Sequence, residues 1–328
     1  MENKSLQNFS IILAVYQGEK TIKDAIKSIY NADYPKSKYE VIIIDDGSTD
    51  NSLKIIKELK HSGYDFKLII LKENKGRIFA RKTGVQNAKY DRVIIFDHQL
   101  QMDSDALKNA LKYSTEEHII TNAYMDKTRS WDDRILYLFR KQYYKPYWGI
   151  NFPKVRLDEK NFSKIPKGTG GFITNKEDFL RFSNALEGKK TENEDTKLFK
   201  LYIDNNKTLI RVSDIKNLYK NRTGFKSLEH LYKRGPRFFD YYLKTNDLLL
   251  AIFLSPLFLA LIEIVSLFVF PQLFFGSIIT LLLINIIVAI WIAENVLDFI
   301  IALFYFPILF FSFYIGSLNG IRLHYLKK

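Results

Sequence analysis

Apolar and polar positions change rhythm repeatedly along the first hundred residues. Residues 9–16, FSIILAVY, are almost wholly apolar and predict a buried strand. Residues 20–30 take helical spacing, with Ile22, Ala25, Ile26 and Ile29 on one face. The alternation continues: a strand over 39–44 that ends in Asp45-Asp46-Gly47-Ser48, a helix over 51–59, a strand over 66–71, a helix over 77–88 and a strand over 91–96. Strands alternating with helices imply an α/β domain with a parallel sheet and helices on both faces. In such sheets ligands gather at the carboxyl ends of the strands, where Asp45, Asp46 and Asp97 fall. Asp is a poor strand residue, so packing does not account for carboxylates along that edge.

Beyond residue 105 the pattern loosens. Residues 115–165 mix aromatic and basic positions, among them Arg134, Arg140, Lys141, Tyr143, Tyr144, Tyr147 and Trp148. A glycine-rich turn follows, Gly168-Thr169-Gly170-Gly171-Phe172, then a charged helix from Lys176. Thr191-Glu192-Asn193-Glu194-Asp195 heads another helix over 196–203. There is no internal repeat.

From 248 to 318 the chain is nearly continuously apolar. A membrane-spanning helix needs about 20 apolar residues, and three segments qualify: 248–270, 274–292 and 296–316, separated by Pro271-Gln272 and Glu294-Asn295. The expected organisation is therefore a soluble domain over 1–245 and a membrane region over 246–328. Glu263, near the middle of the first segment, would make a helix–helix hydrogen bond or meet a lipid acceptor. Lys233, Arg234, Arg237 and Lys244 precede the first segment, and Arg322, Lys327 and Lys328 follow the last. Basic flanks favour the cytoplasmic face. Two full spans plus a re-entrant segment would keep both flanks there, three full spans would separate them, and the topology stays open. Residues 9–16 are too short for a signal peptide and lack a basic flank and a small-residue cleavage site. The soluble part is thus expected to stay cytoplasmic, on a multi-pass protein of the cell membrane.

The 328 residues are 47% hydrophobic and 26% charged, which excludes a disordered or collagen-like chain. The net charge of +13 divides into +14 over 1–245 and −1 over the remainder. A cationic portion joined to an apolar tail suits an anionic membrane face or anionic substrates. Nucleic acid is not expected, because no arginine-rich run or RNA-binding aromatic motif is present. The absence of cysteine excludes disulfides, thiolate metal sites and cysteine nucleophiles.

Several ordered motifs carry a resemblance. Residues 10–19, SIILAVYQGE, resemble a family opening of the form SIIIPVYNEE, and residues 39–52, YEVIIIDDGSTDNS, match that family's most specific signature. Asn74-Lys75-Gly76 with Ala80-Arg81-Lys82-Thr83-Gly84 resembles NxGxxxARNxG. Gly168–Phe172 and Glu194-Asp195 resemble its acceptor-side glycines and its ED pair. Over residues 8–240 the chain resembles a family 2 glycosyltransferase with the GT-A nucleotide-sugar fold, a Rossmann-like and mostly parallel sheet.

The resemblance implies a UDP- or GDP-linked sugar donor. Asp46, assisted by Asp45, would accept N–H groups of the base, and Ala14, Val15 and Tyr16 would line the nucleoside. The same Asp-Asp-Gly-Ser also suits a turn and helix cap, with Ser48 or Asn51 capping. Lys75 and Arg81 are candidates for the diphosphate, or for a solvated helix face. The family's Asp-x-Asp is here Asp97-His98-Gln99. Gln99 offers a carbonyl oxygen without charge, so Mg2+ or Mn2+ would rest on Asp97, Gln99 and diphosphate oxygens. His98 would add a nitrogen or point away, and Asp103 and Asp105 would substitute as ligands or cap the next helix.

Asp195 is the implied catalytic base, removing the proton of an acceptor hydroxyl as it attacks and inverts the anomeric carbon, with Glu194 orienting the site. An acidic first turn favoured by the helix dipole is the alternative for the pair. Gly170 and Gly171 would let a sugar approach the backbone. Arg234 and Arg237 lie where processive synthases carry Gln-x-x-Arg-Trp, but the Gln and Trp are missing, which speaks against processive synthesis. The two arginines would grip a diphosphate or meet anionic headgroups. The function expected is a membrane-anchored inverting glycosyltransferase acting on a lipid-linked or growing surface glycan. A polyprenyl-phosphate sugar synthase and a non-catalytic nucleotide-sugar-binding protein are the alternatives. A nucleotidyltransferase would want a glycine-rich loop where residues 16–20 read YQGEK.

Overall fold

The computed structural model describes residues 6–126, 130–168, 170–186, 194–220, 225–239 and 271–325, with positions 243, 248, 250, 251 and 253–255 between the last two stretches. The chain forms two compact units, residues 1–126 with 143–220, and 127–142 with 221–328.

The first unit is built on nine strands among the described residues. They are β1 (Phe9–Val15), β2 (Tyr39–Asp45), β3 (Lys67–Ile70), β4 (Arg92–Asp97), β5 (Leu100–Met102), β6 (His118–Met125), β7 (Val155–Arg156), β8 (Gly171–Asn175) and β9 (Leu209–Tyr219). The order is β3-β2-β1-β4-β8-β6-β9-β5, with β7 paired to β9. β1 to β4 are parallel, β8 runs antiparallel to β4 and to β6, and β6 is parallel to β9. The sheet is mixed, with the parallel half that the sequence predicts followed by a half in which antiparallel pairs flank the parallel pair of β6 and β9.

The predicted elements of the parallel half fall within two residues of α1 (Ile22–Tyr30), α2 (Ser52–His61), α3 (Arg77–Gln86) and the four strands. β1 is buried almost throughout, and α1 turns Ile22, Ala25, Ile26 and Ile29 onto it. α3 lies directly on β1 and β2. A Cβ on Gly84 would stand 2.4 Å from Ile12 Cγ2 and 2.5 Å from Ile44 Cδ1, so only glycine allows that approach. The unit also holds α4 (Ala106–Ala110), α6 (Lys176–Asn184) and α7 (Glu194–Asp204). Asn175 caps α6 by accepting the Asp178 N–H at 2.8 Å.

The second unit contains α5 (Trp131–Tyr143), α8 (Phe225–Phe238), α9 (Pro271–Ile292) and α10 (Val296–Tyr325). α9 is described from Pro271 onward. The break at Glu294-Asn295 separates it from α10, as the sequence indicates. The fully buried Asp298 pairs with Arg134, and Lys141 pairs with Glu294, so α5 is tied to the start of α10. α8 crosses α10 backbone against backbone: a Cβ on Gly235 would lie 2.1 Å from the carbonyl carbon of Gly316. Among the described residues one helix, α10, is long and apolar enough to cross a membrane, with a mean hydropathy of 2.2 in its most apolar stretch. The expected segment 248–270, with Glu263, lies almost wholly outside the described residues.

Candidate functional site

The carboxyl ends of β1 and β2 feed two loops that interlock. The Gln17 N–H donates to Ser48 Oγ at 3.2 Å, and its side-chain amide donates to Thr49 Oγ1 at 2.7 Å. In return the Asp50 N–H donates to Gln17 Oε1 at 3.1 Å. Gly18 and Glu19 donate their N–H groups to Ser52 Oγ and Asp50 Oδ2 at 2.8 and 3.1 Å. Asp50 also caps α2, accepting the Ser52 N–H at 3.0 Å. The caps considered from sequence are therefore corrected: Asn51 makes no side-chain cap bond, and the Ser48 hydroxyl serves Gln17 and Asp45. Gly47 has φ 68°, and a Cβ there would meet the Glu73 carbonyl carbon at 2.6 Å, so the turn requires glycine.

Asp46 is buried and joins a third loop. Its Oδ1 accepts the Lys75 N–H at 2.8 Å, and its Oδ2 accepts the Gly76 N–H at 3.1 Å. Asp45 is also buried, and burial pushes its carboxyl up against the opposing Ser48 hydrogen bond. Asp45 Oδ1 has no hydrogen-bond partner among the described residues. A buried acceptor left this way is costly, so it marks a position where an incoming N–H is favourable. Ala14 is half-buried and Tyr16 exposed at the end of β1. Val15 is corrected: its side chain belongs to the core, and its carbonyl accepts the Asp46 N–H at 2.8 Å. Lys75 is exposed, with its ammonium 5.2 Å from the Phe79 ring centre.

α3 turns Arg77 and Arg81, four residues apart, toward the first turn of α7. Arg81 Nη1 donates to Asp195 Oδ1 at 3.1 Å, and its Nη2 lies 4.0 Å from Asp97 Oδ2. Arg77 Nε lies 3.6 Å from Glu194 Oε2, and its Nη1 3.7 Å from Asp195 Oδ2. Arg81 is only 1% exposed, which excludes the solvated helix face considered from sequence. Burial pushes its guanidinium down, opposed foremost by Asp195. Burial pushes the Glu194 carboxyl up, opposed foremost by Arg77. No sequence motif singles out Arg77, although its spacing from Arg81 places both on one helix face.

The Asp97 N–H donates to the Gly170 carbonyl at 3.1 Å, and a Cβ on Gly170 would lie 3.3 Å from Asp97 Cβ. Gly171 has a different reason from the one expected. A Cβ there would lie 2.1 Å from Thr121 Oγ1, so strand packing excludes a side chain. Thr169 lies outside the described residues.

Gln99 Oε1 accepts the Tyr219 hydroxyl at 2.8 Å, so β9 already uses part of the oxygen considered for metal binding. His98 Nδ1 lies 2.8 Å from Thr21 Oγ1 and its Nε2 3.9 Å from Asp97 Oδ1. Asp103 accepts the Tyr124 hydroxyl at 3.1 Å, and Asp105 accepts the Asn109 amide at 2.9 Å without capping α4. Asp97 and Gln99 remain an oxygen set of the kind Mg2+ and Mn2+ take, with one charge. Among the described residues, the His-and-carboxylate group with metal-like spacing is elsewhere, at Glu117, His118 and Asp178. Its Asp178 Oδ2 already holds Lys207 Nζ at 2.8 Å and the Asn175 amide at 2.9 Å. Arg234 is exposed on α8 of the second unit, and the side chain of Arg237 lies outside the described residues.

A parallel half-sheet continued by antiparallel strands, with carboxylates gathered where β1, β2 and β4 end, defines the GT-A class of glycosyltransferase folds. The chain belongs to glycosyl transferase family 2, whose model matches residues 10–181. Among solved structures it resembles the mannosyltransferase PcManGT from Pyrobaculum calidifontis, in complex with GDP-Man and Mn2+, with TM-score 0.61 and 14% identity over 99% of this chain and 89% of that one. It also resembles S. aureus TarS 1-349 in complex with UDP-GlcNAc, with TM-score 0.50 and 19% identity over 66% of this chain and 60% of that one. At these identities the likeness is one of fold. A poly-beta-1,6-N-acetyl-D-glucosamine synthase of Staphylococcus epidermidis is 36% identical over 105 residues, 32% of this chain and 25% of that protein. A dolichyl N-acetyl-alpha-D-glucosaminyl phosphate 3-beta-D-2,3-diacetamido-2,3-dideoxy-beta-D-glucuronosyltransferase of Methanococcus voltae is 38% identical over 105 residues, 31% of this chain and 32% of that protein. The matched segment thus spans between a quarter and a third of these relatives.

Proposed function

We propose that this chain is a membrane-anchored, inverting glycosyltransferase that moves a sugar from a UDP- or GDP-linked donor to a lipid-linked or growing glycan. The observation that carries the reading is the Asp97–Arg81–Asp195 chain, which joins the end of the fourth strand to the acidic first turn of α7. Asp45 and Asp46 take the base of the donor, and its diphosphate lies toward Asp97. Mg2+ or Mn2+ held by Asp97 and Gln99 would neutralise charge on the departing diphosphate. Asp195, held by Arg81, removes the acceptor hydroxyl proton. The hydroxyl oxygen bonds to the anomeric carbon from the face opposite the nucleoside diphosphate, which leaves with the electrons of the broken C–O bond. Residues 1–245 form the catalytic region on the cytoplasmic side, and 246–328 hold it at the cell membrane by more than one span. The names of the relatives support this reading: GDP-Man and UDP-GlcNAc are donors of the proposed kind, and the M. voltae enzyme is named for a lipid-linked substrate.

The test uses membranes from cells expressing wild type, Asp97→Ala or Asp195→Ala, labelled UDP- and GDP-sugars, and Mn2+, Mg2+ or EDTA. Label entering lipid extract or polymer should fall about 100-fold or more in both variants. Loss in Asp97→Ala alone would assign a phosphate acceptor, already ionised and needing no base. Wild-type membranes that bind a sugar nucleotide but never transfer it would establish the non-catalytic alternative.

A further inference from the structure

Two arginines on one face of α3 share Asp195 from different environments, Arg81 reaching Asp97 as well and Arg77 reaching Glu194. Arg81 is buried and makes a true hydrogen bond of 3.1 Å to Asp195 Oδ1. The Arg77 side chain is 42% exposed, and its contacts to Glu194 and Asp195, at 3.6 and 3.7 Å, exceed hydrogen-bond length. We propose that Arg77 is a positioning residue that exchanges partners, holding Glu194 and Asp195 in the free protein and moving to the diphosphate of the donor when a nucleotide sugar binds. This rests on the donor-site reading above.

The relative strengths favour the exchange. The Arg77 contacts are longer than hydrogen bonds and one partner is partly exposed, so the pair is a weak one. Charge-assisted hydrogen bonds from a guanidinium to phosphate are shorter, often bidentate and about twice as strong as neutral ones. The backbone around Arg77 need not move, because Asp46 already fixes the N–H groups of Lys75 and Gly76. Only a long side chain has to swing. It starts within the field of the right groups: Asp195 first, then Asp97 and Glu194, push the Arg77 guanidinium up against the opposing effect of burial. Arg77 faces Asp195 Oδ2, whereas Arg81 holds Oδ1. Departure of Arg77 therefore takes one cation away from the base while Arg81 keeps its hold on Oδ1. Donor binding would come first and change the charge beside the base afterwards.

The test is a double-mutant cycle on the full chain in detergent, titrated calorimetrically with UDP and GDP, and with uridine and guanosine, in the presence of Mn2+. Arg77→Gln should weaken binding of the preferred diphosphate about tenfold, as expected for a lost charged hydrogen bond, and leave the nucleoside unchanged. Glu194→Gln removes the competing carboxylate and should tighten the diphosphate about two- to fivefold. That gain should vanish in the Arg77→Gln/Glu194→Gln double variant. If Arg77→Gln does not fold, Arg77→Lys serves in its place and should show a smaller loss with the same coupling. A gain from Glu194→Gln that persists without Arg77, or no gain at all, overturns the exchange while leaving the donor site standing. Failure of wild type to bind either diphosphate overturns the donor reading itself.

Discussion

His118 opens β6 with no access to solvent. Its Nδ1 lies 2.8 Å from Thr174 Oγ1, and its Nε2 lies 3.3 Å from Asp178 Oδ2 and 3.4 Å from Glu117 Oε2. Burial pushes the imidazole down to about 4. Asp178 opposes this, while Lys207 and Arg92 reinforce it. The folded chain thus keeps His118 neutral at a pH where an unfolded one, near 6.5, would bind a proton. Below that value the unfolded state gains more protons, so stability is complete above about 6.5 and declines as pH falls toward 4. The expected loss is about 1–3 kcal/mol. Urea unfolding of the full chain in detergent at pH 7.5 and 4.5 should show it, and His118→Gln should flatten the difference. Nothing local in the sequence marks His118, because its partners Thr174 and Asp178 come from a strand and helix more than fifty residues away. Asp45 and Asp46 were legible, since two carboxylates followed by Gly and Ser at a strand end form a dense local signal. Arg77 was legible only as a spacing, and its meaning depended on where α7 returns.

At the scale of elements, glycines report how closely the pieces approach. Gly171→Ala should lower the unfolding midpoint by several degrees, since the new Cβ would overlap Thr121 Oγ1. Adding Thr121→Ala should restore part of the loss by removing that oxygen. Gly235→Ala has no such remedy, because the clash is with the backbone of Gly316. Gly276→Ala on α9 meets nothing within 4 Å and should be neutral or slightly stabilising. Thermal unfolding of the four variants in one detergent orders them. The parallel strands were readable because each is a continuous apolar run bounded by turn residues. The other half, with its mixed pairing, was not: β5 and β7 are three and two residues long. The pairing of β6 with β9 shifts register between Ile120 and Asn122. Such strands owe their existence to neighbours rather than to any period of their own.

At the scale of the whole molecule, hydropathy along the chain marks where the apolar tail begins but not how the compact units divide. α5 is charged and aromatic along its length, yet Ile135 and Leu138 are buried in the same cluster as Ala289, Ile292, Ile301, Ala302 and Leu309. Its charged ends are satisfied likewise, Arg134 by Asp298 and Lys141 by Glu294. The chain therefore passes from the first unit to the second, back, and out again. A chain ending at residue 245 would keep every residue proposed for donor binding but strand α5 without its partners. It should be recovered mainly as aggregate, and size-exclusion chromatography beside the full chain in detergent would show this. The practical consequence is for anyone seeking a tractable soluble fragment: the cut that hydropathy suggests exposes a greasy seam midway along the remaining piece. A better route is to keep the whole tail and find the right amphiphile, or to excise residues 130–142 together with the tail and bridge the gap.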